Sequence, residues 1–248
     1  MATFQDHFSG HASSYASHRP SYPRALYEWL ATLTDSHEVA WDCATGNGQA
    51  AVGLVEHYKS VVASDASARQ VASRQPHSRV HYFVSLAERV PLWDGSCDLL
   101  TVAQAVHWFE FNRFFAEARR VLKRGGAIAV WSYERFTVSP AVDEAVEKFY
   151  SEVVGPYWPP ERRYVELGYR TLPFPFDEVR APAFDMELRW TREQVLHYIS
   201  TWSAVQRYQR AQGTDPLPDL RQQLAALWVD PEEPRTVRWP IHIRAGYA

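Results

Sequence analysis

Two carboxylates and two glycines set the chemistry open to this chain. Asp42 stands at the C-terminal end of the apolar run Val39–Cys43, directly before the small-residue loop Ala44-Thr-Gly46-Asn-Gly48. Beyond the loop, apolar residues at Ala51, Leu54, Val55 and Tyr58 fall on one helical stripe. Gly46 and Gly48 let the backbone turn sharply and let a ligand lie against it. The unpaired N–H groups at the start of the next helix then face that ligand. Asp65 ends the next apolar run, Ser60–Asp65, where a carboxylate can accept both hydroxyls of a ribose.

The segment Gly46-Asn-Gly48-Gln-Ala-Ala51 also matches the G-x-G-x-x-A fingerprint of an NAD(P)-dependent reductase. Asp42 fits that reading less well, because a carboxylate beside the loop repels a pyrophosphate. S-adenosylmethionine carries a sulfonium, an ammonium and a carboxylate but no phosphate, so an acidic strand end is compatible with it. His107 and Trp108 follow the apolar run Cys97–Ala103, at the edge where open α/β sheets bind ligands. His107 is the candidate to take a proton from a hydroxyl or phenol acceptor. It reads equally as a structural hydrogen bond in a tight turn.

The elements that position these residues alternate regularly. Ala25–Leu33 reads as a helix before the first strand, and Ser67–Arg74 as another after the second. Val80–Val84 is strand three, Leu86–Gly95 a loop with a possible helical turn, and Cys97–Ala103 strand four. Phe111–Leu122 is a helix buried at Phe114, Phe115, Ala118, Val121 and Leu122. Lys123-Arg-Gly-Gly126 is expected to end it with positive charge and a glycine stop. Strand five is Ala127–Tyr133. Continuous apolar strands between helices imply a parallel sheet covered on both faces.

That pattern breaks over residues 134–182, where prolines cluster and only Pro140–Val154 keeps a helical period. A long irregular insertion in a compact domain is usually functional, and this one holds Tyr157, Trp158, Arg162, Arg163, Tyr164, Tyr169 and Arg170. One of its arginines could clamp a carboxylate bidentately. Ala183–Trp190 alternates as a strand, Thr191 with Gln194 opens a helix running through Ser203, and Leu217–Val229 is a further helix. Arg235–Tyr247 alternates as a closing strand, with Pro240 implying an edge or a bulge. At the other end, residues 1–20 bring aromatics and Arg19 into a short segment before Pro20 and Pro23, as a cap over the site mouth would.

Composition narrows the class. The 248 residues suit one large α/β domain. A net charge of -3 gives no bulk attraction to nucleic acid or anionic membrane. Two cysteines predict reduced thiols and no metal site. With no signal core and no membrane-length apolar run, a cytoplasmic protein acting on a small molecule is expected. The chain holds 10 Trp, 13 Tyr and 12 Phe, most of them for packing and some suited to a planar, cationic ligand. Its oligomeric state is not legible.

In order and spacing, Asp42-Cys-Ala-Thr-Gly-Asn-Gly48, Asp65, Leu86-Ala-Glu88, Asp94-Gly-Ser-Cys-Asp98, Gln104-Ala-Val-His-Trp-Phe109 and Lys123-Arg-Gly-Gly126 resemble the class I S-adenosylmethionine-dependent methyltransferases. More narrowly, with Tyr15-x-x-x-Arg-Pro-x-Tyr-Pro23 and Thr201-Trp-Ser-Ala204, they are similar to the small-molecule group of methyltransferase type 11 and trans-aconitate methyltransferase-like proteins. Ala44 departs from the pattern, which has glycine there. The resemblance implies a Rossmann-like sheet of seven strands, the last antiparallel, with an N-terminal cap and an inserted lid. Residues 1–133 would form the cap and the cofactor-binding half, 134–182 the lid, and 183–248 the closing helices and strands of the same core. It implies that Asp65 holds the ribose with Ala66 beside it, and that Asp42, Ala44, Thr45, Gly46 and Gly48 contact the methionine end. Ala87 and Glu88 would border the adenine, Gln104 and Ala105 would lie near the methyl, and Arg19 would pair with the cofactor carboxylate. A chain that holds the cofactor without turnover remains a further possibility.

Overall fold

A computed structural model describes residues 20–248. The order of elements begins α1 (Arg24–Ala31), β1 (Val39–Cys43), α2 (Gln49–Leu54), β2 (Ser60–Asp65), α3 (Ala68–Ala72) and β3 (Val80–Val84). It continues through β4 (Cys97–Ala103), a short turn of helix at Val106–Trp108, α4 (Phe111–Val121) and β5 (Leu122–Tyr133). After these come α5 (Pro140–Lys148), α6 (Arg162–Glu166), β6 (Asp177–Val179), β7 (Phe184–Trp190), α7 (Arg192–Ser200), α8 (Ser203–Gln212), α9 (Pro218–Leu227) and β8 (Arg235–Tyr247).

The strands form one sheet in the order β3-β2-β1-β4-β5-β8, with β6 and β7 both against the far side of β8. Strands β1 to β5 are parallel, and β8 runs antiparallel to β5. Because side chains alternate across a strand, each strand feeds two cores. Ala40, Leu99 and Ala129 face the layer of α1 and α2, with Leu26, Leu30 and Leu54. Trp41, Leu100 and Val130 face the layer of α4, with Phe114, Phe115 and Ala118. Burial on both faces is why these strands read as unbroken apolar runs.

The parallel, doubly covered sheet closed by an antiparallel strand is as expected. It counts eight strands because the outer edge of β8 is shared. β6 pairs with Ala245–Tyr247 and β7 with Arg235–Ile241. Pro182 lies between the two and has no N–H to carry a continuous ladder.

Three local expectations are corrected. Lys123–Gly126 is no glycine stop: α4 gives way at once to extended backbone at Leu122 (φ -70°, ψ 140°). Cys97 then pairs with Leu122 and Leu99 with Ala127, so Lys123–Gly126 bulges out opposite Asp98. Lys123 holds the Asp98 carboxylate at 2.6 Å; the other oxygen of Asp98 accepts the Val39 N–H at 2.8 Å, tying the bulge to the start of β1.

Pro240 is not on an edge, since β8 has β5 on one side and β7 on the other. Its carbonyl accepts the Glu134 N–H at 3.2 Å. A residue's N and O point the same way in an antiparallel ladder, so the missing donor faces the gap just past the end of β5. The helix opened at Thr191 stops at Ser200 and restarts at Ser203. Its start has the expected capping box of Thr191 and Gln194. The helix begun at Pro140 does reach toward Val154, through a wider turn at Phe149–Val153.

Candidate active site

The C-terminal ends of β1, β2, β3 and β4 lie side by side, and the residues singled out by sequence gather there. Between β1 and α2 the chain takes three left-handed steps, at Ala44 (φ 54°), Gly46 (φ 58°) and Gly48 (φ 91°). The loop is held on all sides. The Thr45 N–H donates to the Ser64 carbonyl at 2.9 Å and the Gly48 N–H to the Thr45 carbonyl at 2.9 Å. The Gly46 N–H donates to Asp65 Oδ2 at 2.9 Å, and the Ser67 N–H to Asp65 Oδ1 at 2.8 Å. A carboxylate has acceptor capacity beyond two such bonds, so this arrangement is compatible with a sugar diol at Asp65. Ala66 stands half-buried beside it.

Asp42 is fully buried beneath the loop. Its oxygens accept the hydroxyls of Thr45 at 2.5 Å and Thr101 at 2.8 Å. Burial pushes the carboxyl up to about 6, against the downward pull of both hydroxyls. Asp42 therefore has no surface of its own to offer and ties the loop to β4 from beneath. Gly48 admits no other residue, because a Cβ would lie 2.0 Å from the Tyr82 hydroxyl. Tyr82, which the sequence reading passed over, donates to the Gln75 carbonyl at 2.8 Å and so spans the turn beyond α3. From the other side, Gln49 Nε2 donates to the Pro20 carbonyl at 2.8 Å, drawing the start of the described chain to the loop. Arg19 lies outside the described residues.

At the end of β4, Gln104 is held left-handed (φ 60°). Its N–H donates to the Trp131 carbonyl at 2.8 Å. Its side-chain amide Nε2 is buried with no hydrogen-bond partner among the described residues. A backbone strain of this kind costs about 1–3 kcal/mol and an unpaired buried donor about as much again. Both mark a position arranged for a ligand. Ala105 is half-buried next to it.

Ala87 is buried and Glu88 half-buried in the turn after β3. Glu88 Oε1 accepts the Glu110 N–H at 3.0 Å, which joins that turn to the start of α4.

His107 is 8% exposed, and its Nδ1 lies 2.8 Å from the Tyr169 hydroxyl. Burial drives the imidazole down to about 3, with the charge of Arg162 acting in the same direction. It is a neutral group at any ordinary pH. The Trp108 ring packs against it at 4.9 Å. Of the insertion's arginines, Arg163 and Arg170 are exposed and turned to the surface. Arg162 is half-buried beside His107, Tyr150 and Trp158.

A phosphate-free adenosyl cofactor fits these residues. Asp42 to Ala51 contains no lysine or arginine to offset a pyrophosphate. The orphaned Gln104 amide and the Gly46 turn, where an added Cβ would find only Gln70 Oε1 at 3.9 Å, leave a cradle at the loop.

Comparison with known proteins agrees. Residues 41–130 match the family model described as a methyltransferase domain. A Dictyostelium discoideum protein named as a methyltransferase is 33% identical over 229 residues, covering 89% of this chain and 86% of its own. A Mycobacterium tuberculosis protein named as an uncharacterized methyltransferase is 29% identical over 222 residues, covering 88% and 85%. A solved structure from Anaeromyxobacter dehalogenans, described as a type II methyltransferase, is 45% identical with a TM-score of 0.87. It covers 92% of this chain and 97% of its own. Fold, loop chemistry and relatives converge: the chain belongs to the class I S-adenosylmethionine-dependent methyltransferases.

Proposed function

We propose that the chain methylates a small, acidic molecule held over the C-terminal ends of β4 and β5, beneath a lid formed by residues 134–182. The observation that carries this reading is the pairing of the Asp65-bound glycine loop with the orphaned Gln104 amide at the neighbouring strand end. Asp65 would hold the ribose, the loop backbone at Ala44 to Gly48 the methionine end, and Ala87 and Glu88 the edge of the adenine. The cofactor, when bound, supplies an electrophilic methyl group on a positively charged sulfur.

The chain's own contribution is alignment and dryness. Holding a nucleophile in line removes most of the entropic barrier, and aromatic walls exclude competing water. A carboxylate acceptor is already ionised, so no side chain needs to take a proton. That suits a site whose nearest imidazole is buried and neutral. The likeness of the motifs to the trans-aconitate methyltransferase-like group supports an acidic acceptor. Two buried, unpaired thiols, Cys43 and Cys97, support a reducing, cytoplasmic setting. The helices described include none long and apolar enough to cross a membrane.

Calorimetric titration tests the cofactor assignment, with S-adenosylhomocysteine expected to bind and NADH not. Binding of NADH alone would overturn it in favour of a reductase. Release of S-adenosylhomocysteine on adding a metabolite extract separates an enzyme from a chain that only holds the cofactor.

A further inference from the structure

The segment after β5 contains a hydrogen-bond relay that ends on an arginine with its terminal groups unused. The Tyr150 hydroxyl donates to Glu166 Oε1 at 2.5 Å. The Tyr150 hydroxyl oxygen in turn accepts the Arg162 Nε–H at 3.0 Å. Tyr150 at its centre is 5% exposed and Arg162 is half-buried, while Glu166 at the outer end stands exposed. The Arg162 guanidinium lies over the Trp158 ring at 4.8 Å, a flat face that fixes its plane.

Two other arginines, Arg120 and Arg244, engage all their nitrogens. Arg120 reaches Glu117, Asp94 and the carbonyls of Val90 and Leu92. Arg244 reaches Glu178 and the carbonyls of Tyr169 and Leu172. Arg162 instead leaves Nη1 and Nη2 without a hydrogen bond among the described residues. Arg162 opens α6, which packs on the turn at Val106–Trp108 just past the end of β4. A guanidinium whose Nε is occupied still presents a parallel pair of N–H groups from Nη1 and Nη2, the geometry that meets a carboxylate in two bonds.

We propose that Arg162 selects the methyl acceptor by its anionic end, and that Tyr150, held by Glu166, is the positioning residue that aims the guanidinium. The inference rests on the methyltransferase reading and narrows it to one residue. The acceptor's carboxylate meets Nη1 and Nη2 while its body lies against the aromatic rings, and no charged partner among the described residues competes for the fork.

The test uses methyl-labelled cofactor with a panel of aromatic and unsaturated carboxylic acids, each paired with its primary amide. The wild-type protein is expected to prefer the acids. Arg162→Gln should raise KM for the acids about tenfold or more, leave kcat within about twofold and erase the preference. Tyr150→Phe keeps the ring and should raise KM in smaller measure with kcat retained. Arg210→Gln, on the exposed side of α8, is the control and should change neither. Binding of S-adenosylhomocysteine is measured on every variant. Binding with an acid preference that survives Arg162→Gln overturns the inference and leaves the family assignment standing, as does binding with no turnover of any acid. Loss of binding in the wild type would take down the methyltransferase reading and the inference together.

Discussion

His107 Nδ1 and the Tyr169 hydroxyl stand 2.8 Å apart, one just past β4 and the other just past α6. Neither ring has water to fall back on, since both are buried. Burial lowers the imidazole to about 3 and raises the phenol. A base with so weak a hold on a proton takes none from an acceptor near neutrality, so the pair acts as a fixed strut between the strand end and the insertion. The profile of kcat/KM against pH should therefore show no inflection from His107 near 6.5. Tyr169→Phe should cost about 1–2 kcal/mol in urea denaturation, by leaving a buried ring nitrogen without its partner, with kcat largely kept. An inflection near 6.5 that disappears in His107→Asn would restore His107 as a base.

The loop tolerates change at its two ends in opposite directions. Ala44 sits left-handed at φ 54°, where a Cβ costs about 1–2 kcal/mol. Ala44→Gly relieves that strain against a somewhat larger unfolded-state entropy. A net gain of up to about 1 kcal/mol in denaturant unfolding is expected, with cofactor affinity retained. Gly48→Ala meets both a φ of 91° and the Tyr82 ring, 2.0 Å from the new Cβ. It should abolish binding of S-adenosylhomocysteine. Removing the ring with Tyr82→Ala in the same chain should recover only part of it, because the backbone strain remains.

The parallel half of the sheet was legible because its central strands β1, β2 and β4 carry apolar residues into both cores. Beside them β3 keeps a short, largely apolar run although only Val80 of it is buried. Val39–Cys43, Ser60–Asp65, Val80–Val84 and Cys97–Ala103 run unbroken in the sequence and in the structure alike. The miss at Lys123–Gly126 has a tertiary cause. Two glycines after a basic helix end look like a local stop, but here Asp98 draws Lys123 across and the four residues bulge from a strand. Pro240 misled for the same reason, since only the pairing of β8 shows that its missing N–H faces a gap. At the site, small residues and acids announced the loop. The Glu166–Tyr150–Arg162 relay gave no signal beyond an aromatic, arginine-bearing stretch, because its members become neighbours only when the wide turn at Phe149–Val153 sets Tyr150 against α6.

Asp65 accepts backbone N–H groups from Gly46 and Ser67, so its replacement must spare the loop if it is to report on ligand. Asp65→Asn keeps one carbonyl acceptor and removes the charge. Contacts of a charged acceptor with a diol contribute about 1.5–3 kcal/mol. Affinity for S-adenosylhomocysteine should fall about tenfold or more by calorimetry, while affinity for methionine alone stays unchanged. Equal affinities for the adenosyl ligand in both proteins would remove the acid from the ribose.

Asp42 and His107 pull the pH dependence of stability in opposite directions, and the sign of each follows from its folded value. Asp42 rises from 3.8 unfolded to about 6 folded. The folded state therefore binds more protons across that window, and stability from this group is full below about 3.8 and lost as pH rises through 6. His107 falls from 6.5 to about 3. Its contribution is full above about 6.5 and lost as pH falls toward 3. Between pH 4 and 6 the two slopes offset each other, so the wild-type Tm should vary little there on their account. Asp42→Asn removes one side of the balance, and its Tm should drop more steeply with acid than that of the wild type. Other carboxylates titrate equally in both proteins, so the difference between the two curves isolates Asp42. Parallel curves from pH 4 to 6 would mean that the acid beneath the loop ionises as it does in water, and that its burial between Thr45 and Thr101 leaves its charge unopposed.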